Sequence, residues 1–196
     1  MTRLRLAIMI SGRGSNMETL VKASQVADFP AKPILVLSNR PEAAGLQTAE
    51  SYGVEAVAID HKPFGKDRES FERALHDELI RAEIELIALA GFMRVLTPWF
   101  VNRWQGRLIN IHPSLLPKYP GLNTHQRAID AGDAEAGCSV HWVNEEVDGG
   151  AVIDQARVPI LANDTADTLA ERVLAQEHIL YPRALAKACA EIAARA

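Results

Sequence analysis

Four short apolar runs, each followed by a stretch of helical periodicity or a polar turn, restrict the fold of this chain more than any other feature. The runs are Leu4–Ile10, Pro33–Ser38, Val54–Ile59 and Ile84–Ala90. The first and last are nearly unbroken apolar sequence, the pattern of strands covered on both faces. Helices are predicted from Ser15 to about Ala27, from Glu42 to Tyr52 with Gly53 as terminator, and from Asp67 to about Ala82. Strand and helix alternating in this way imply a parallel, doubly wound α/β sheet with right-handed crossovers. Ligands of such sheets bind at the carboxyl ends of the strands.

The pattern changes in the second half. Thr97-Pro98 starts a short helix to about Trp104, and Arg107–His112 reads as a fifth strand. The segment from Pro113 to Leu122 carries Pro113, Pro117 and Pro120 and cannot continue the ladder. A helix is expected from Thr124 to Ala131, with Gly132 ending it. Gly137–Val143 alternates, and Ala151–Val158 is expected to pair antiparallel to its neighbour. The predicted fold is therefore Rossmann-like and mostly parallel, with an antiparallel extension in the C-terminal half. Asp164-Thr165 caps a final helix to about Ala194, which Pro182 is expected to kink or break after Ile179-Leu180.

Bulk properties remove several classes of function. Lys and Arg number 21 against 25 Asp and Glu, for a net charge of −4, so no broad polycation awaits a nucleic acid. The apolar run after Arg5 is too short for a signal peptide or a membrane span, and a cytoplasmic protein is expected. Cys138 and Cys189 lie far apart, without metal or redox spacing, and are expected to be reduced thiols. No His-x-x-x-His or Cys-x-x-Cys spacing occurs, so a metal is not expected.

Two places carry chemistry. In Leu108-Ile109-Asn110-Ile111-His112 the period of a strand sends Asn110 and His112 to one face. An amide and an imidazole there are either a hydrogen-bonded structural pair or a catalytic amide with an acid/base. Asp148, in Val147-Asp148-Gly149-Gly150, favours the second reading, because a nearby carboxylate raises the cationic fraction of a histidine. No serine or cysteine nucleophile accompanies the histidine at a known spacing, which leaves direct attack of a substrate nucleophile on a carbonyl, with Asn110 donating to the oxyanion. His141 reads as a structural histidine. Near the N-terminus, Ser11-Gly12-Arg13-Gly14-Ser15-Asn16 joins a strand to a helix, a natural anion site. Ser15 and Glu18 fit a capping box. Met17 replaces the last glycine of a dinucleotide fingerprint and no Gly-Lys-Ser/Thr is present, so the turn reads either as a site for a single phosphate or as a plain tight turn. Arg68, in a helical first turn, is either a solvated charge or an anion contact. Gly91-Phe92-Met93-Arg94-Val95-Leu96 could wall a pocket for a flat ring, or pack on the core.

Taken together, Ile10-Ser11-Gly12-x-Gly14-Ser15-Asn16, Ala90-Gly91-Phe92-Met93-Arg94, the run from Asn110 through His112-Pro113-Ser114-Leu115-Leu116-Pro117 to Gly121, and Asp148-Gly149-Gly150 resemble the folate-dependent phosphoribosylglycinamide formyltransferases of purine synthesis. The resemblance reaches Gln176-Glu177-His178. It implies a single formyltransferase domain over 1–196, with a phosphate-binding half (1–100) and a catalytic and folate-binding half (101–196). It implies 10-formyltetrahydrofolate as co-substrate and phosphoribosylglycinamide as acceptor, with Asn110, His112 and Asp148 catalytic. Gly14, Ser15 and Asn16 would hold the substrate phosphate and Glu177 the glycinamide end. Arg68, Met93, Arg94, Val95, Leu96 and Asn110 would contact the folate. The expected partners are small molecules, with no nucleic acid and no membrane, and the chain is expected to be a monomer or a weak homodimer. Arg13 and Asn123 depart from the commoner Asn and His of such enzymes. Alternatives are a formyltetrahydrofolate hydrolase, a methionyl-tRNA formyltransferase, each expected to carry a further domain, and a non-catalytic phosphoribosyl-binding module.

Overall fold

The computed structural model describes residues 3–195. In chain order the elements are β1 (Leu4–Ile10), α1 (Ser15–Ala23), β2 (Ala31–Ser38), α2 (Ala44–Ser51), β3 (Glu55–Ala58), a 3-10 turn (Lys62–Phe64), α3 (Arg68–Arg81), β4 (Leu86–Leu89), α4 (Pro98–Arg103), β5 (Leu108–His112), α5 (Thr124–Asp130), β6 (Glu135–Trp142), β7 (Val152–Pro159) and α6 (Ala166–Ala193). One seven-stranded sheet runs in the order β3-β2-β1-β4-β5-β6-β7. β1 is parallel to β2 and β4, and β5 to β4; β6 turns antiparallel to β5, and β7 antiparallel to β6. This is the doubly wound sheet with an antiparallel extension that the alternation of runs predicts.

Alternate residues of the central strands go to opposite cores. Leu6, Ile8 and Ile10 of β1 pack with Met17, Leu20 and Val21 of α1 and with Leu180, Tyr181 and Leu185 of α6. Ala7 and Met9 face the other way, toward Phe71, Leu75 and Leu79 of α3 and Phe100 of α4. A strand sandwiched between two apolar layers has no polar face to offer, hence the unbroken apolar sequence. Functional side chains are therefore confined to the strand ends and the loops beyond them.

Three local expectations need correction. The Ser15–Glu18 capping box does not form: the N-cap is Gly14, in the left-handed region (φ 75°), and no side chain caps α1. Glu18 instead accepts from Tyr52 Oη at 2.9 Å and pairs with Lys22 at 2.8 Å. The first-turn N–H groups of α1 are thus left without a side-chain partner. Second, α1 stops at Ala23 and α2 starts at Ala44, shorter than their patterns suggest. Third, α6 runs unbroken through Pro182. An internal proline costs about 3 kcal/mol, but Leu180, Tyr181, Ala184 and Leu185 are fully buried around it, and burying each large apolar side chain returns about 1.5–3 kcal/mol. The buried Tyr181 hydroxyl also donates to the Leu89 carbonyl at 2.8 Å, tying the helix to β4. Asp67 caps α3 as its sequence suggests, accepting from the Ser70 N–H at 3.0 Å.

Candidate active site

The carboxyl ends of β1, β4 and β5 lie side by side, and the segments leaving them build one continuous site. Asn110 and His112 share a face of β5. The antiparallel register with β6 sets His141 opposite Asn110 and Ser139 opposite His112. Asn110 Nδ2 lies 3.3 Å from His141 Nε2, while the other ring nitrogen of His141 is 2.8 Å from the Trp142 carbonyl. With the Nδ1–H donating to that carbonyl, Nε2 is free to accept from the amide.

Asp148 closes the cluster from the β6–β7 loop. Its backbone is left-handed (φ 55°), a conformation that aspartate tolerates better than most residues. One carboxylate oxygen accepts the Gly121 N–H at 2.9 Å and lies 3.3 Å from His112 Nδ1; the other lies 3.5 Å from His141 Nε2. Burial pushes this carboxyl up, but its polar contacts with His141 and the Gly121 N–H, with His112 close by, outweigh it, leaving Asp148 below the usual carboxylate range. His112 Nε2 sits 2.9 Å from the Tyr119 carbonyl, so both ring nitrogens face acceptors. Gly150 is a steric necessity: a Cβ there would stand 1.7 Å from the Trp142 carbonyl oxygen.

Ser139 organises the proline-rich segment. Its hydroxyl donates to the Ser114 carbonyl at 2.6 Å and accepts from the Leu116 N–H at 3.0 Å and from Gln155 Nε2 at 2.9 Å. Prolines cannot supply these donors, so a side chain fixes the path that carries Tyr119 and Gly121 to His112 and Asp148.

Above the cluster opens a cleft of about 830 Å³, walled by Phe92–Leu96 on one side and by Leu122–His125 and Val143–Asp148 on the other, with Asn110 and His112 at its floor. That volume suits a ligand with several rings. Met93, Val95, Leu122 and Val147 stand 69, 58, 80 and 52% exposed at its mouth, a clustering of large apolar side chains that marks a binding surface. The wall is pinned from behind. Arg68 donates to the Val95 carbonyl, and buried Glu72 accepts from the N–H (2.8 Å) and hydroxyl of Thr97. Arg94 lies 5.3 Å from the Phe71 ring centroid. Met93 to Leu96 and Arg94 thus line the cleft, whereas Arg68 reaches its lip from outside.

The glycine loop lies beside this cleft. Gly45 donates its N–H to the Gly12 carbonyl at 3.1 Å, and a Cβ on Gly45 would meet Ile10 Cδ1 at 2.5 Å, so α2 packs directly on the loop. Asn16 Nδ2 donates to Glu177 at 2.6 Å, and both side chains are buried. Burial raises the Glu177 carboxyl above its ordinary value, against the opposing hydrogen bond from Asn16. Asn16 Oδ1 is buried with no hydrogen-bond partner, an acceptor that a ligand donor would satisfy.

One residue escapes the sequence reading, and another gains a place beyond it. His141, read as a structural histidine, is buried with partners at both ring nitrogens, and it also stands in the polar cluster. His125 lines the cleft, with a buried Nδ1 that has no partner; burial and the nearby His112 hold it below the usual histidine range. His141 shares the alternation of Ser139, a signal that becomes usable only once the β5–β6 register is known. Among the described residues no group of three His, Cys, Asp or Glu could hold a metal ion, and no helix is long and apolar enough to cross a membrane.

A doubly wound sheet with an Asn–His–Asp cluster under an apolar cleft and a glycine loop beside it is an arrangement suited to group transfer at a carbonyl. A formyl transferase family model matches residues 4–185, and the chain belongs to this family. It is 46% identical over 178 residues to the phosphoribosylglycinamide formyltransferase of Haemophilus influenzae, covering 91% of this chain and 84% of that protein. It is 50% identical over 186 residues to the trifunctional purine biosynthetic protein adenosine-3 of Drosophila melanogaster, covering 94% of this chain but 14% of that much longer protein. Phosphoribosylglycinamide formyltransferase from Brucella melitensis superimposes with a TM-score of 0.91 at 49% identity, covering 96% of this chain and 97% of that one.

Proposed function

We propose that this chain transfers the formyl group of 10-formyltetrahydrofolate to the amine of 5-phosphoribosylglycinamide, in de novo purine synthesis, and that its residues act as one catalytic unit across the two halves of the sheet. The observation that carries this reading is the Asn110–His112–Asp148 cluster at the floor of an apolar cleft, with the glycine loop beside it. The folate supplies an activated formyl group. Its ring system suits the apolar cleft between Met93–Leu96 and Val143–Asp148, and Arg94, with Arg68 at the lip, is the cation available to its carboxylates.

The substrate phosphate sits on the uncapped first turn of α1, at Gly14, Ser15 and Asn16. Glu177 and the free Oδ1 of Asn16 hold the glycinamide end. When the amine attacks the formyl carbon, the carbonyl oxygen gains charge and Asn110 Nδ2 donates to it; one such donor is worth about 100- to 1000-fold in rate. The attacking nitrogen must lose a proton and the departing folate nitrogen must gain one. His112, between Asp148 and the Tyr119 carbonyl, carries that proton, and the depressed Asp148 carboxylate stabilises the charged ring. His141 orients Asn110 and buttresses Asp148. The chain works as a monomer or weak homodimer in the cytoplasm, on small molecules alone.

The test is loss of the formyl group from 10-formyltetrahydrofolate by purified protein, with and without phosphoribosylglycinamide. Loss only when the amine is present is expected. Loss without it would make the protein a hydrolase, and no loss by the folded protein in either case would make it a binding module.

A further inference from the structure

Ser11 follows β1 directly, where the two ligand loops meet. Its N–H donates to the Gly91 carbonyl at 3.0 Å, and its Oγ accepts the Met93 N–H at 2.7 Å. Its hydroxyl proton goes to Asn39 Oδ1 at 2.5 Å. Ser11 and Asn39 are 4 and 1% exposed. A hydroxyl has one proton to give, so Asn39, by taking it, aims a lone pair of the oxygen at Met93. Asn39 is itself held, with its carbonyl oxygen 2.8 Å from His61 Nδ1.

The cleft wall is pinned in two separate places. Its far half is held by Arg68 at Val95 and by Glu72 at Thr97. The polar ties of its near half, at Gly91 and Met93, both go to Ser11. On its other side Ser11 leads at once into Gly12, Arg13 and Gly14, the loop at the start of α1. A Cβ at Gly12 would meet nothing within 4 Å, so this side of the loop is open to a ligand, while its Gly12 carbonyl is held by the Gly45 N–H at 3.1 Å.

We propose that Ser11 is a positioning residue that couples the two substrate sites. Phosphate binding at Gly14–Asn16 fixes the loop and with it Ser11, which fixes the near half of the folate wall through Met93. Each substrate then raises the affinity for the other, as linkage requires. The proposal rests on the assignment of phosphate loop and cleft given above.

Titration calorimetry on the full chain tests it, using phosphoribosylglycinamide and tetrahydrofolate, each alone and with the other saturating. In the wild type each ligand is expected to bind at least about 5-fold more tightly in the presence of the other. In Ser11→Ala this ratio is expected to fall to about 1. Thr97→Val, which frees the far end of the same wall, is expected to weaken tetrahydrofolate while keeping the wild-type ratio. A Ser11→Ala protein that loses folate affinity with its ratio intact would reduce Ser11 to a structural residue and overturn the proposal. Should that variant not fold, Asn39→Ala leaves the hydroxyl but removes the acceptor that aims it; a lowered ratio supports the coupling and an unchanged one overturns it. A wild-type ratio of about 1 with both ligands bound overturns the coupling alone. Failure of the wild type to bind either ligand overturns the assignment of the sites, and the coupling with it.

Discussion

Replacing Asp148 by asparagine separates the charge of this carboxylate from its shape. The residue stands at φ 55°, which asparagine also tolerates, so the backbone gains no strain. The amide oxygen can keep the Gly121 N–H, now 2.9 Å from the carboxylate. That same oxygen position faces His112 Nδ1 at 3.3 Å, and the new NH2 takes the other position, 3.5 Å from His141 Nε2. His112 keeps its neighbours, with Nε2 2.9 Å from the Tyr119 carbonyl, but loses the negative charge beside its ring. The charged ring needed for proton transfer is then no longer stabilised. General acid–base contributions of this kind are worth about 100- to 10,000-fold in kcat. The fold loses only the difference between a charged and a neutral hydrogen bond, about 1 kcal/mol, which lowers Tm by about 2–4 °C in a chain of this length. Because the folded Asp148 carboxyl lies below its unfolded value near 3.9, that stability is present above about pH 4 and disappears as pH falls through the lower folded value. The assay is turnover by formyl loss across pH, beside thermal melts and phosphoribosylglycinamide affinity. A folded variant within about 10-fold of wild-type turnover, with an unchanged pH profile, would refute the role given to the charge.

Other variants test other parts of the structure. Glu177→Gln should stabilise the protein, because burial raises this carboxyl in the folded state and the charged form costs stability as pH rises past its unfolded value near 4.3. The gain in Tm should therefore be larger at pH 8 than at pH 4, while KM for phosphoribosylglycinamide rises; equal gains at both pH values would show that the charge is not the cause. Gly150→Ala places a methyl 1.7 Å from the Trp142 carbonyl and should cost about 1–3 kcal/mol by overpacking, with turnover falling further than stability because His141 is adjacent; a wild-type melt would contradict this. The Cys138 and Cys189 thiols are both pushed up to about 12 by burial, so at pH 8 a thiol reagent should label neither until denaturant is added, and prompt labelling of the native protein would count against their placement.

Much of this architecture was readable from local pattern. The unbroken apolar runs announce strands with two covered faces. The period of β5 alone puts Asn110 and His112 on one side. Gly14, in the left-handed region, marks the loop before α1. Local pattern misled where two signals competed at one place. Gly14 and Ser15 are both acceptable N-caps, and packing of Gly45 on the loop decided for the glycine. Pro182 carries a strong helix-breaking signal, but the apolar face of α6 around it is long enough to override the defect.

The sequence by itself determined the layer order, the polar pair on β5 and the glycine turn before α1, because each follows from patterns among residues near in the chain. Only the tertiary structure decided which distant groups meet. The register of β6 against β5 places His141 opposite Asn110, and a one-residue slip would send it to the other face. The approach of Asp148 to His112 depends on Gly121 and Gly150, each fixed by contacts that span the sheet end. The link from Ser11 to Met93 joins residues 82 positions apart. Such pairings depend on how the strands are ordered and how closely they pack, and neither is encoded in the period of any single segment.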